Sequence, residues 1–441
     1  MKLSEIFKGF SKLSYNERLD LLKQAAVIDS ADVFFLKNGG LQSIDLGEKF
    51  IENVIGYFQL PMGIATHFKI DDKDIVIPMA VEETSIVAAA SKTAKWIREN
   101  GEIKTEVLGQ DIIGQIQFAH VKSPEDFKNK ILSQKNFLIS IANKEVAFGL
   151  VNRGGGVTDI KVRILDREDE GFMGVVHVHM NPCDAMGANI INQVCEFLKT
   201  PLQDYTSEKV TMCILSNLVD TKLTKAVVTL HNIDLDLAQK IEEASRFAEL
   251  DPYRAATNNK GVLNGIDPIL IATGNDWRAV EAGLHAYAAS TGRYTSITKW
   301  RVQYNSDLQP ALANKQPDHK LVGELIAPIV VGTVGGVTSL HPMAKLGLKI
   351  LNVKSASELS RVMAAVGLVQ NLGALRALTT VGIIEGHMKL HIKNLSLGAG
   401  ATDTEMPFMV KKLEEILSLR KRISLTNAVE VLNDLRRKSE T

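Results

Sequence analysis

The sequence is short of several things, and each shortage excludes a class of protein. Only three cysteines (Cys183, Cys195, Cys213) occur in 441 residues. An odd number without metal-type pairing excludes a disulfide framework and points to a reducing compartment, the cytoplasm. Neither charge sign is in excess, since 51 Lys and Arg face 51 Asp and Glu. No global field then draws the chain to nucleic acid or to a membrane surface. Long hydrophobic runs are missing too. The longest apolar stretch, residues 326–340, is broken by Pro328 and several glycines and is too short to span a bilayer. The first residues, MKLSEIFKGFSKLS, scatter charges among apolar positions and lack a signal-peptide core.

What is present is ordinary for a folded chain: 45% hydrophobic and 23% charged residues. The length suggests two or three domains. The chain is organised around residues 258–278, NNKGVLNGIDPILIATGNDWR. Lys260 lies near one end and Asp276 near the other. Between them Ile269, Leu270, Ile271 and Ala272 form an apolar run that reads equally as a buried strand or the core face of a helix. A lysine and an aspartate beside a core are rarely left unpaired, so a structural ion pair is the plain reading. Asn, Gly and Asp crowd both ends, however, as in turns that present side chains to a cleft.

Ser14 and Glu17 form a capping box that starts a helix. Asp71, Asp72 and Lys73 make a turn, and residues 75–78 a strand that ends at Pro78. An alanine-rich helix follows Val81 and runs to about Trp96, with Glu83 and Ser85 at its mouth. Acids there complement the helix dipole; the sharper reading of Glu83 is a general acid, which requires burial. From about residue 106 to 218, strands joined by tight turns and then a helix describe an α+β unit with an antiparallel sheet, inserted into the rest. Gly154, Gly155 and Gly156 read as a hairpin loop between two strands, a poor match to a dinucleotide fingerprint. Asp184 opens a helix, either as its N-cap or as part of an anion site with Gly187 and Ala188. His177 and His179 share one strand face with no acid in reach, so they read as sheet-face side chains, not metal ligands.

Gly332, Thr333, Val334, Gly335 and Gly336 form a second glycine loop, and residues 357–378 a long helix carrying Gln370 and Asn371. His387 and His391 have a spacing that zinc can use, but no acid lies between them and Lys389 repels a cation, so no metal is expected. A single functional histidine, His387, is favoured over a solvated helix end. Two amphipathic helices, about 405–418 and 424–437, close the chain as an appended unit that could move.

Together these stretches resemble 3-hydroxy-3-methylglutaryl-CoA (HMG-CoA) reductase, in its soluble bacterial class II form. The resemblance rests on Glu82-Glu83-Thr84-Ser85, Asp184-Ala185-Met186-Gly187-Ala188-Asn189, residues 251–261 (DPYRAATNNKG), Gly274-Asn275-Asp276-Trp277-Arg278, residues 332–336 and Gly386-His387-Met388, in this order. It implies an α+β fold: a large, mostly helical substrate domain, an inserted small antiparallel-sheet, non-Rossmann dinucleotide-binding domain, and a C-terminal helical flap. The implied divisions are 1–109 and 220–379 for the large domain, 110–219 for the small one and 380–441 for the flap.

The implied reaction is reduction of HMG-CoA to mevalonate and free CoA by two hydride transfers from NADH or NADPH, or its reverse. Glu83, Lys260, Asp276 and His387 are the implied catalytic residues, with Asp276 holding Lys260 charged. Ser85, Arg254, Asn264 and Gln370 resemble the family's contacts to the acyl group. Asp184, Met186, Gly187, Asn189 and Asn217 resemble its dinucleotide region. The resemblance also implies active sites formed between subunits, so a homodimer is the minimum and a trimer of dimers a larger form. NAD-preferring relatives carry an acid before the glycine triplet. An ungapped count puts Ala147 there, which removes repulsion against a 2′-phosphate, while Glu145 and Lys144 stand close enough to reverse this if the loop shifts. The competing reading is a catalytically silent CoA- or nucleotide-binding homologue. An enzyme run as a mevalonate oxidiser shares every residue with the reductase.

Overall fold

The computed structural model describes residues 3–169, 171–304, 319–380, 392–420 and 422–439. His387 and His391 lie outside them. The fold is built from helices and three antiparallel sheets. Strands β1 (Met62–Ile70) and β2 (Lys73–Ala80) form a hairpin. Strands β3 (Gly101–Leu108), β8 (Leu223–Leu230), β10 (His319–Pro328) and β9 (Thr298–Tyr304) form a second sheet in the order β3-β8-β10-β9. Strands β4 (Ile112–Val121), β5 (Gly156–Asp166), β6 (Phe172–Asn181) and β7 (Met212–Ser216) form the third, in the order β5-β6-β4-β7. The chain leaves the second sheet at Leu108 and returns at Leu223, and these two residues are partners on the β3–β8 ladder.

Two helices make the centre of the larger core. The Ala356–Thr379 helix buries fifteen of its residues, and the Pro252–Ala272 helix eleven. They touch at glycine: a Cβ on Gly265 would come within 2.7 Å of the Val366 carbonyl, and one on Gly367 within 2.9 Å of Val262 and Ile266. Close approach of this kind brings backbone dipoles and side-chain walls into full dispersion contact. By length and composition the Ala356–Thr379 helix could cross a membrane, but 67% of its apolar window is buried inside the molecule, as in a core helix. A second core lies under the third sheet, where the Ala188–Thr206 helix packs so closely that a Cβ on Gly114 would come within 2.4 Å of Cys195 Sγ. A third, small core joins Ile392 and Ala401 to the Met406–Arg420 and Leu425–Ser439 helices.

Several local expectations change. The apolar run at 269–272 is the last turn of the Pro252–Ala272 helix. Strand β2 continues past Pro78 to Ala80, because in a two-stranded sheet every strand has an unpaired edge where proline's missing N–H costs no ladder bond. The alanine-rich helix spans Ile86–Asn100. The glycine triplet is not in a hairpin: it follows a short helix, Phe148–Val151, and leads into β5. A four-residue apolar run carries no period long enough to tell the two apart.

Trp300 on β9 is fully buried, and its ring lies flat over Gly323 of β10, where a Cβ would come within 2.3 Å of it. The Gly323→Ala variant should lose roughly 1–3 kcal/mol by overpacking. Urea unfolding followed by tryptophan fluorescence reads this as a lowered midpoint; an unchanged midpoint would show that the ring can move aside.

Candidate active site

Lys260 stands in the middle of the Pro252–Ala272 helix, and the residues before it explain why it is held so firmly. Asn258 and Asn259 are fully buried, an unusual place for side chains that compete with helical hydrogen bonds. Both are saturated. Asn258 Nδ2 donates to Ser296 Oγ (2.8 Å) and Thr298 Oγ1 (3.1 Å), and its Oδ1 accepts from Asn371 Nδ2 (2.8 Å). Asn371 Oδ1 in turn accepts from Trp300 Nε1 at 2.8 Å. Asn259 Nδ2 donates to Tyr294 Oη (3.0 Å) and the Thr295 carbonyl (2.9 Å), while its Oδ1 accepts from Ile297 N (3.1 Å). Tyr294 Oη also meets His285 Nδ1 at 2.7 Å, on the next helix.

Held this way, Lys260 Nζ lies 3.3 Å from Glu83 Oε2, and both side chains remain open to solvent. Glu83 precedes Ser85, which takes a left-handed conformation (φ 79°) at the start of the Ile86–Asn100 helix. A serine in that region is uncommon, and such residues cluster at functional sites. Arg254, six residues before Lys260, is half-buried, and its guanidinium has no hydrogen-bond or ion-pair partner among the described residues. Burial lowers its proton affinity. Gln370 is buried against Gly265, and its Oε1 has no partner among the described residues. Unpaired polar groups in such places are costly unless a ligand completes them. Asn264 lies one turn beyond Lys260 on the same helical face.

Asp276 is elsewhere. It caps the Trp277–Ala288 helix, accepting from Arg278 N (3.1 Å) and Ala279 N (3.2 Å), and pairs with Arg278 Nε at 3.3 Å. The expected contact between Lys260 and Asp276 is therefore not made within the chain. Lys260 lies twelve residues before the end of its helix, an axial separation of about 18 Å from the turn that carries Asp276. Asn275 Oδ1 accepts from Gly332 N (2.8 Å), and the Asp184 carbonyl accepts from Thr333 N (2.9 Å). Three stretches far apart in sequence thus converge around Asp276.

Met186 and Asn217 line one shallow depression with Ala279, three residues past Asp276. Asp184 does not cap its own helix. Its Oδ1 accepts from Ala356 N (2.9 Å), at the first turn of the long core helix, while Gly187 (φ 93°) is the N-cap of Ala188–Thr206 and supplies no side chain. Those first amides stay open to an anion, next to exposed Asn189, and a Cβ on Gly332 would come within 2.6 Å of Met186 N. This loop-and-helix cradle fits the phosphates of a dinucleotide.

Ala147 is buried in the small core, so its side chain does not face a ribose; the exposed acid of that stretch is Glu145, paired with Lys144 at 3.3 Å. Nor are His177 and His179 remote from acids. Asp159 is the ladder partner of His179, but it is taken by Lys135. Burial, with Arg163 nearby, pushes His177 down to about 4, and burial lowers His179 as well. Both are neutral imidazoles at neutral pH.

Sequence reasoning passed over the amide network and a further lysine. Lys222, between β7 and β8, is buried, and burial pushes it down to about 8 against the fields of Asp184 and Asp111. Two consecutive asparagines inside a helix were the available signal for the network; Lys222 gave none.

The family model for hydroxymethylglutaryl-coenzyme A reductase matches residues 14–392. A 3-hydroxy-3-methylglutaryl-coenzyme A reductase of Archaeoglobus fulgidus is 43% identical over 98% of this chain and 95% of its own. A probable one of Borreliella burgdorferi is 34% identical over 89% of this chain and 86% of its own. Among solved structures, the reductase from Streptococcus pneumoniae superposes with a TM-score of 0.80 at 38% identity, covering 97% of this chain and 99% of that one. The class II enzyme of the same organism bound to NADPH in open conformations gives 0.78 at 37%, covering 85% of this chain and all of that one. The chain belongs to the hydroxymethylglutaryl-coenzyme A reductase family, in its class II form.

Proposed function

We propose that this chain reduces HMG-CoA to mevalonate and CoA with NAD(P)H, and that Glu83, Lys260, Asp276 and His387 carry the chemistry. The observation that carries this reading is the accessible contact of Glu83 with Lys260, which shares its helix with Arg254, a guanidinium without a partner among the described residues. Arg254 can bind the terminal carboxylate of the acyl group in a charge-assisted fork. Ser85, Asn264 and the unpartnered Gln370 Oε1 orient its hydroxyl and carbonyl. Lys260 Nζ then faces the thioester oxygen, where negative charge develops, and a fixed cation stabilises it. Glu83, at hydrogen-bond distance from Nζ, keeps the ammonium in place as a carboxylate; it is open to solvent in the lone chain, and once bound substrate covers it, it can take up a proton and pass that proton to the oxygen of the aldehyde stage. His387 would protonate the departing CoA thiolate, and the C-terminal flap would carry it over the substrates.

Asp184, Met186, Gly187, Asn189 and Asn217 would hold the nicotinamide cofactor, which supplies the hydride when bound. Residues 110–219 would act as the cofactor-binding unit. A homodimer accounts for the separation of Lys260 from Asp276: one chain supplies Glu83, Lys260 and Arg254, the other Asp276 and the cofactor cradle. Three unpaired cysteines, two with thiols that burial pushes up, accord with a cytoplasmic enzyme of the mevalonate route to isoprenoids.

The reading is tested by initial rates with HMG-CoA, NADH and NADPH being assayed in parallel. Lys260→Ala should lower kcat by roughly 10²–10³-fold or more while leaving Tm in place. Turnover that survives would favour the silent-scaffold reading. Lys260→Ala and Asp276→Ala subunits, each inactive, should regain about a quarter of wild-type activity when refolded together, because half of random dimers carry one intact site of two. No regain in a mixed dimer would place both residues in a one-chain site. Arg254→Met should raise KM for HMG-CoA by roughly 10–100-fold, the worth of a charged hydrogen bond, with KM for NAD(P)H little changed.

A further inference from the structure

The Pro252–Ala272 and Trp277–Ala288 helices form a hairpin closed by residues 273–276. One arm carries Lys260, and the other begins at Asp276. Across the hairpin two carboxyl groups face each other in hydrogen-bond contact: Asp267, two turns beyond Lys260, and Glu281, five residues after Asp276. Asp267 Oδ1 is buried, and no donor among the described residues reaches it. Two ionised carboxylates are both acceptors and cannot bond to each other; one of them has to carry the proton.

We propose that Asp267 and Glu281 share a single proton and clamp the two arms of the hairpin, so that Asp276 is presented at a fixed angle to Lys260 of the partner subunit. Asp267 and Glu281 are positioning residues, and the proposal rests on the reading of Lys260 and Asp276 as catalytic.

Among the described residues, the other charges on the elements around the hairpin are engaged elsewhere or exposed: Lys240 meets Asp236, Arg246 meets Glu242 and Lys95 meets Glu99. On the elements packed against the hairpin, the Lys73 and Arg361 cations are matched by Glu358 and Asp71, Arg98 by Asp74, and Lys349 by Asp29 and Asp32. Glu249 is taken by Arg301, Glu324 by Lys225, and Arg376 lies over the Trp96 ring. Lys92 and Lys345 point to solvent. On the hairpin itself Lys260 meets Glu83, Arg278 meets Asp276 and His285 meets Tyr294. Among the described residues, Glu281 is the charged group that acts on Asp267. Burial, with Glu281 beside it, pushes Asp267 up to about 8. A carboxyl raised in this way contributes stability that is complete below its unfolded value near 4, and that fades as pH rises through about 8. Above that, two like charges face each other in the hairpin and push its arms apart.

Asp267→Asn tests this directly, since the amide donates the same hydrogen bond to Glu281 and does not titrate. In the wild type, Tm should fall as pH rises from about 4 to about 8 and kcat should fall as pH passes about 8; in Asp267→Asn the alkaline fall in kcat should move up by about one pH unit or more and the fall in Tm should flatten. KM for HMG-CoA should stay the same in both. Glu281→Gln is the second variant should Asp267→Asn fail to fold, with the same displaced limb expected. An alkaline limb unchanged in both variants, or a loss of kcat equal at every pH, overturns the clamp. Lys260→Ala run alongside separates the two layers. If it remains active, the catalytic reading fails, while the Tm difference between the wild type and Asp267→Asn still decides whether the proton is shared.

Discussion

Everything at the site depends on how firmly the Pro252–Ala272 helix is held, and two buried asparagine amides hold it. Burying an amide without partners costs on the order of 1–3 kcal/mol, so a pair of them is tolerable only when every donor and acceptor is used. Asn258 and Asn259 use theirs on the 294–298 segment and on Asn371. The same bonds that remove the penalty leave few places for the helix to slide. Asn371 follows Gln370, so the group expected against the acyl chain and the lysine expected at its carbonyl are set by one network. Trp300 closes it from the sheet side.

The second arrangement is a division of labour within one hairpin. Glu83, Lys260 and Arg254 face one region; Asp276, Met186 and Asn217 face another. Neither is sufficient for thioester reduction, which needs the oxyanion, the leaving thiolate and the hydride donor managed in one place. Within the chain the Lys260 cation and the turn that carries Asp276 stand apart.

Much of the architecture was legible because periodicity carries it. The capping box at Ser14, the long core helix and the two C-terminal helices stand where their patterns put them. Short apolar runs were not legible: Phe148–Val151, before the glycine triplet, and residues 269–272 are helical because their packing, not their pattern, decides. Contacts over long separations were also hidden. Glu83 and Lys260 are 177 residues apart and Asp184 bonds a residue 172 further on, so chemistry suggested that such groups matter but not which would touch. Charge suggests a pairing of Lys260 with Asp276 and the resemblance implies it, but within the chain Asp276 caps its own helix and pairs with Arg278. Asp267 and Glu281 escaped notice because two acids fourteen residues apart look like ordinary surface charge until a hairpin folds them together.

The exit and return of the chain at Leu108 and Leu223 have a consequence for the lineage of the molecule. Because these residues are neighbours on an antiparallel ladder, a tight turn of two residues could join them and leave the β3-β8-β10-β9 sheet intact in register. The segment between them is a pendant on a hairpin tip. Such a tip is where a foreign stretch can be spliced in with the least disturbance to a pre-existing body. The body that carries the β3-β8-β10-β9 sheet could thus have acquired residues 109–222 in one event, and another segment can take their place without redesign of the host sheet.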